Sequence, residues 1–164
     1  MVDSNAPRWL RALAEPGIRN HIEVRSVARK GKGAFTTIDV DAGTFLGYYA
    51  GEYLSEKQLF ARYPCLMREG VTRGESLAAG CSYIFGLDFD GEMYVDAANP
   101  WFSNWVRYVN HSKRRKNCIS YIDNACEERP MIYLQALRNI DAGEELLFDY
   151  GKDFWEGYEG KIVD

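Results

Sequence analysis

Paired cysteines are missing from this sequence. Cys65, Cys81, Cys118 and Cys126 include no CxxC or CxC, and this argues against a metal site, because zinc modules draw ligands from such close pairs. No secretory segment is expected either, since Arg8, Arg11 and Pro16 interrupt the only apolar stretch near the start. The expectation is an intracellular, reduced protein with free thiols rather than disulfides. No apolar run approaches the roughly 20 residues needed to span a bilayer. Nothing recurs at the short period of a solenoid. A general excess of positive charge is also lacking: residues 1–82 carry 11 basic and 9 acidic groups (+2), residues 83–164 carry 9 and 15 (−6), and the total is −4. That balance argues against nucleic acid as the main ligand and for a cationic one, the alternative being a surface charged only for solubility.

What the chain does hold is aromatic residues, 14% of the total with eleven tyrosines. A tyrosine offers a flat apolar body with a polar tip, which suits a lined channel as well as a core. The 164 residues allow one ordinary domain and not two. One short helix is expected within residues 1–20, with Trp9, Leu10 and Leu13 on one side and Pro16-Gly17 ending it. Beyond it the patterning is mostly that of strands. His21–Val27 alternates with period two, Gly31-Lys32-Gly33 is expected to break it, and Ala34–Ile38 resumes extended structure. Asp41-Ala42-Gly43 makes a turn before an aromatic strand at Thr44–Tyr49. Ser55-Glu56-Lys57-Gln58 fits a capping box, and its helix should end at or before Pro64. Residues 65–80 read as short helical pieces between glycines. A hairpin is expected from Tyr83–Phe89 and Met93–Ala97 around Asp90-Gly91, with further strands at Cys118–Ile122 and Met131–Ile140. A second Asp-Ala-Gly, at 141–143, reads as the same turn chemistry used twice. The fold class is mainly β with few short helices.

Three segments carry chemistry: Gly31–Phe35, the run Arg107-Tyr108-Val109-Asn110-His111-Ser112, and Gly143-Glu144-Glu145-Leu146-Leu147-Phe148-Asp149-Tyr150-Gly151. Each alone has a plain structural reading. Gly-Lys-Gly is usually a flexible loop and lacks the pattern of a dinucleotide or phosphate site. Asn-His-Ser suggests a hydrolase, but adjacent side chains of a strand point apart and a triad needs a third, orienting group. Gly-Glu-Glu-Leu is a common exit from a β-turn. Together with Tyr49-Ala50-Gly51-Glu52, Tyr83-Ile84-Phe85 and Val95-Asp96-Ala97, in this order, they resemble the SET-domain family of protein lysine methyltransferases over about residues 22–155.

The resemblance implies a fold of several small sheets in which the segment around Asn110–Ser112 and the one ending in Tyr150 cross in a pseudoknot, a rare threading. It divides the chain into a flanking segment at 1–20, a SET domain at 21–151 with a variable insert at 54–80, and a tail at 152–164 that closes the active site. The implied cofactor is S-adenosylmethionine, with S-adenosylhomocysteine as product. Gly31, Lys32 and Gly33 would lay backbone groups against its methionine part, Asn110 would hold its amino end, and Tyr83 would close over it. His111 would meet the adenine chiefly through its backbone, the alternative being a general base. Arg107 would serve the cofactor site or a structural salt bridge. Phe154 or Trp155 would stack on the adenine or fill a core. Tyr150 and Tyr49 are the implied catalytic residues, and Tyr49, Tyr83 and Phe148 the implied walls of a lysine channel. Tyr150 is expected to orient and stabilise rather than act as a base, because an ordinary phenol titrates near 10. Phe148 stands where a tyrosine favours monomethylation, so di- or trimethylation is expected to be permitted.

The chain also departs from the family. Many histone-directed members read Asn-His-Ser-Cys-x-Pro-Asn; here Ser112 is followed by Lys113-Arg114-Arg115-Lys116-Asn117-Cys118. No Cys-x-Cys follows Tyr150 and no cysteine-rich segment precedes His21, so neither flanking zinc module is expected and no metal site. Phe154, Trp155 and Tyr158 are then expected to close the channel by packing. Lys113–Lys116 read as a solvated loop, the alternatives being a nuclear-localisation signal or a DNA contact. The 58 residues between Gly51 and Asn110 leave no room for a large inserted domain, which points to a peptide-like substrate such as a histone tail, added as a strand beside a sheet edge. The expected partners are a histone tail or another lysine-bearing protein, with nucleosome contact, and the expected location is the nucleus. A SET-like interaction module without activity is the reading from another class.

Overall fold

The structure is a computed structural model that describes residues 17–67, 81–87, 93–124, 130–151 and 154. In chain order these residues form β1 (Ile22–Val27), β2 (Gly31–Thr36), β3 (Phe45–Tyr48), β4 (Glu52–Ser55), helix α1 (Glu56–Arg62) and β5 (Ile84–Leu87). There follow β6 (Met93–Asp96), β7 (Asn110–His111), β8 (Cys118–Asp123), β9 (Met131–Ala136) and β10 (Leu147–Phe148). The expected helix before Pro16, residues 68–80, the Asp90-Gly91 turn and the tail residues Trp155 and Tyr158 lie outside the described residues.

The strands make four small sheets: β1-β2, β3-β9-β8, β4-β6-β5 and the parallel pair β7-β10. The chain divides into two compact units. One takes the described residues of 17–50 and 105–149, and the other those of 51–104 and 150–154.

In the first unit, β1 and β2 pair from Ile22↔Thr36 to Val27↔Gly31, so Gly31-Lys32-Gly33 belongs to a strand instead of breaking one. The chain reverses just before it, where Arg29 takes φ 66° and Gly31 φ 78°. β9 stops at Ala136 rather than running to Ile140, which makes an isolated bridge to Val40. Val40, Leu46, Val106, Ile132, Leu134, Ile140 and Leu146 are buried and form this unit's core. Cys118 is a buried thiol. Burial pushes its pKa up to about 12, which keeps it protonated and unreactive.

The two Asp-Ala-Gly turns are related by more than composition. Val40 and Ile140 exchange both backbone hydrogen bonds, each at 2.9 Å. Ala42 N donates to Asn139 Oδ1 while Ala142 N donates to Asp39 Oδ1, both at 2.9 Å. Gly43 N reaches Ala136 O at 2.8 Å, and Gly143 N reaches Thr36 O at 2.7 Å. The two segments thus clasp each other about a local twofold. Positive φ at Gly43 (83°) and Gly143 (92°) closes each turn.

In the second unit the capping box forms as expected. Gln58 N donates to Ser55 Oγ at 3.3 Å and Ser55 N donates to Gln58 Oε1 at 2.9 Å. The helix ends at Arg62, before Pro64. Asp96, fully buried at the end of β6, accepts from Arg62 Nη1 at 2.8 Å, Tyr63 OH at 2.9 Å and Ala98 N at 2.8 Å. Arg62 also clamps Glu52 through both nitrogens. These bonds tie α1 to the β4-β6-β5 sheet. The expected hairpin is there too, with Leu87 paired to Met93, although Tyr83 sits in the 3-10 turn Cys81–Tyr83 that leads into β5.

Candidate active site

Within the first unit, β7 brings Asn110 to the strand that opens with Gly31-Lys32-Gly33. Asn110 Nδ2 donates to Lys32 O at 3.0 Å and to Glu145 Oε1 at 2.8 Å. A Cβ on Gly33 would lie 2.6 Å from Glu145 Oε1, 2.7 Å from Val27 Cγ2 and 3.2 Å from Asn110 Nδ2. A Cβ on Gly31 would meet nothing within 4 Å. The first glycine therefore faces open space, and the second lets Asn110 and Glu145 close on the backbone.

The two motif segments are held together by β7-β10 pairing, Asn110↔Leu147 and His111↔Phe148, and by Ser112 N donating to Phe148 O at 3.1 Å. Buried Asn117 locks them further. Its Nδ2 donates to Glu145 O at 2.9 Å and its Oδ1 accepts from Leu147 N at 2.8 Å. His111 is buried, with Nδ1 3.8 Å from Asp149 Oδ1. Its carbonyl accepts from Lys30 Nζ at 2.8 Å. Asp149 also holds Lys116 at 3.5 Å. Arg107 and Lys32 both lie over the Tyr108 ring, 5.3 and 5.4 Å from its centroid, a cation–π arrangement. Tyr49 and Phe148 are both buried.

Within the second unit Tyr83 is half-buried and its carbonyl accepts from Ala97 N at 3.0 Å. Tyr150 is half-buried, and Phe154 meets it edge-on with ring centroids 4.6 Å apart. Trp155 lies outside the described residues. Among those residues no group of three or more His, Cys, Asp and Glu side chains is placed to hold a metal ion.

Four contributors were not singled out from the sequence: Glu145, Asp149, Lys30 and Asn117. Glu145 had a readable signal. Adjacent residues in extended chain point to opposite sides, so the Glu144-Glu145 pair divides, Glu144 going to Arg138 and Glu145 to Asn110. Asn117 had one only through the family run Asn-His-Ser-Cys-x-Pro-Asn, which also closes on an Asn, since its partners lie 28 and 30 residues away.

The SET domain family matches residues 31–151, a span containing all three motif segments. The chain belongs to the SET-domain family. Histone-lysine N-methyltransferase EHMT1 of Homo sapiens is 30% identical over 154 residues, covering 92% of this chain and 10% of that protein. N-lysine methyltransferase KMT5A-A of Xenopus laevis is 27% identical over 150 residues, covering 92% of this chain and 42% of its own. Histone-lysine N-methyltransferase SUV39H1-A of Danio rerio is 34% identical over 124 residues, 74% of this chain and 27% of its own. The chain thus spans less than half the length of each of these relatives. Among solved structures, the Chaetomium thermophilum polycomb repressive complex 2 superposes with a TM-score of 0.62 at 27% identity, over 84% of this chain and 16% of that one. A form of that complex bound to S-adenosylmethionine gives a TM-score of 0.61 at 28% identity, over 79% of this chain and 15% of that one. The small sheets of this SET domain are those of its family.

Proposed function

We propose that this SET domain is an S-adenosylmethionine-dependent protein lysine N-methyltransferase that acts on a histone tail in the nucleus. The observation that carries the reading is the convergence of Lys32, Gly33, Asn110 and Glu145. The fit to the cofactor is argued from the Lys32-Gly33 backbone, which has no bulky side chain at Gly33, and from the Asn110 amide held against Lys32 O at 3.0 Å, a group able to donate and accept. Gly31, Lys32 and Gly33 would hold the methionine part, Asn110 its amino end and the His111 backbone its adenine, with Tyr83, Arg107 and Trp155 assisting. When bound, the cofactor supplies an electrophilic methyl group carried on a sulfonium.

The chain's own residues then have two tasks. They must present the lysine amine neutral, although an ordinary lysine titrates near 10.4. Buried Tyr49 and Phe148 offer apolar walls that disfavour the ammonium, while their rings attract the cationic side chain as it arrives. They must also aim it. The Tyr150 hydroxyl orients the amine and stabilises developing charge, with Tyr49 as its catalytic companion. The phenyl ring of Phe148 leaves room for an amine already methylated, so di- or trimethylation is permitted.

Incubation with labelled cofactor and histone peptides or nucleosomes, followed by mass spectrometry, tests the proposal. The expected product is a methylated lysine that can go beyond the monomethyl stage, with Phe148→Tyr shifting it toward monomethylation. Calorimetry that detects cofactor binding without methylation of any histone or non-histone lysine would establish an interaction module instead.

A further inference from the structure

The proposed reaction assigns no task to Glu145, although its carboxylate lies inside the cradle. Glu144 beside it is neutralised by Arg138 at 2.7 Å. Glu145 makes no ion pair among the described residues, and its carboxylate accepts instead from the Asn110 amide at 2.8 Å. Its main chain is fixed on both sides. Thr36 N donates to Glu144 O at 3.2 Å, Leu146 N donates to Ala34 O at 2.8 Å, and the Glu145 carbonyl accepts from buried Asn117 Nδ2 at 2.9 Å. From that base the side chain passes against β2 at Gly33, where a Cβ would stand 2.6 Å from Oε1, so the bare glycine is what lets it reach Asn110. Both hydrogens of Asn110 Nδ2 are then committed, one to Lys32 O at 3.0 Å and one to Glu145 Oε1. Neither a carbonyl nor a carboxylate donates, so the nitrogen must face them and Oδ1 is turned away. No bond among the described residues uses that oxygen. Lys32 O alone would leave the amide plane loose, since the terminal torsion of an asparagine is broad; the second acceptor fixes it.

We infer that Glu145 is a positioning residue of the cofactor site. It holds the Asn110 amide nitrogen inward, so that the oxygen is the atom offered to the ammonium of the cofactor's methionine part. The inference rests on the cofactor reading proposed above and adds the group that makes the site selective. An oxygen that only accepts suits an ammonium, which only donates, and disfavours the carboxylate at the same end of the ligand. A ligand without the amino group leaves that acceptor unpaired, which is how discrimination of this kind arises. A brace that merely kept β2, β7 and β10 together would affect every ligand of the site alike.

Calorimetry on the full chain, with S-adenosylhomocysteine and with its analogue bearing hydrogen in place of the amino group, tests this. The unaltered chain should bind S-adenosylhomocysteine at least about tenfold more tightly than the analogue, as the loss of a charge-assisted bond implies. Glu145→Ala should bring that ratio close to one and leave affinity for the analogue unchanged. Glu145→Asp, which keeps the charge but falls short of Asn110, should lower the ratio too, and serves where the alanine variant does not fold. Glu145→Gln, whose side-chain oxygen can still accept from Asn110, should restore most of the ratio. Equal losses for both ligands, or a ratio that survives Glu145→Ala or Glu145→Asp, overturn the proposal. A second readout needs no ligand. In NMR spectra of the ligand-free chain both Nδ2 protons of Asn110 should lie downfield, and Glu145→Asp should move one upfield while the other stays on Lys32 O. Protons that do not respond overturn the clamp whatever the ligands do. Binding of neither ligand, with the protons still responding, refutes the cofactor reading and this use of the clamp but leaves the clamp itself standing.

Discussion

A methyl group added at Gly33 would press on the Glu145 carboxylate and on Val27 Cγ2. The carboxylate is the end of a flexible side chain and can swing, but in doing so it releases Asn110; Val27 is short and branched and cannot yield. Gly33→Ala should therefore cost about 1–3 kcal/mol and weaken cofactor binding beyond that loss. Gly31→Ala has space around it and meets only the penalty of its φ of 78°, on the order of 1 kcal/mol. Urea midpoints and cofactor calorimetry on the two variants check the order, and a more damaging Gly31→Ala would remove the reason given for Gly33. At Tyr150 the expectation is kinetic. Loss of one oriented hydroxyl should lower kcat about a hundredfold in Tyr150→Phe, with cofactor affinity unchanged, and a variant with full activity would end the assignment.

At the scale of elements, the short turn from Asp141 to Glu144 shows how charge fastens a strand end. Glu144 accepts from Arg138 through both oxygens, at 3.1 and 2.7 Å, and from Asp141 N at 2.8 Å. The Arg138 guanidinium holds its carboxyl down to about 2, against an ordinary 4.5. A depressed folded pKa gives stability that is present above the unfolded value and lost as pH falls through the folded one. The window is thus pH 4.5 down to 2. Because both side chains are partly exposed, the contribution is held to about 1 kcal/mol or less. Glu144→Gln should lower the urea midpoint at neutral pH and match the unaltered chain near pH 2; a gap unchanged across that range would mean the ion pair does nothing. The same scale explains what could be read beforehand. Ser55 and Gln58 are three residues apart, so the cap is written locally. Arg62 and Asp96 are 34 apart, and nothing near either residue announces the other. The strand start at Gly31 was hidden for a related reason: glycines signal a break, whereas the left-handed turn through Arg29 and Gly31 feeds the chain into the ladder supplied by β1.

For the molecule as a whole, the family was legible because its motifs are contiguous in sequence, and the mainly β class because strand alternation is local. The echo of Asp41–Gly43 in Asp141–Gly143 was legible as composition, yet the reciprocal Val40–Ile140 bridge depends on a register that only the folded chain specifies. The same division applies to the site. Gly33 and Asn110 could be named from their motifs, while the carboxylate that meets both of them is that of Glu145. This makes a whole-chain measurement a sharp test of the cradle. A ligand that binds only the folded state stabilises it by about 2.7 kcal/mol at one hundred times its Kd. For a chain of this size each kcal/mol raises Tm by about 2–4 °C, so saturating S-adenosylmethionine should raise Tm by about 5–10 °C. Asn110→Ala should abolish most of that rise, because it removes the amide from both Lys32 O and Glu145 and leaves the carboxylate facing Gly33 without its donor. If Asn110→Ala keeps the full rise, Asn110 positions the backbone only, and the cofactor's amino end is held by some other group.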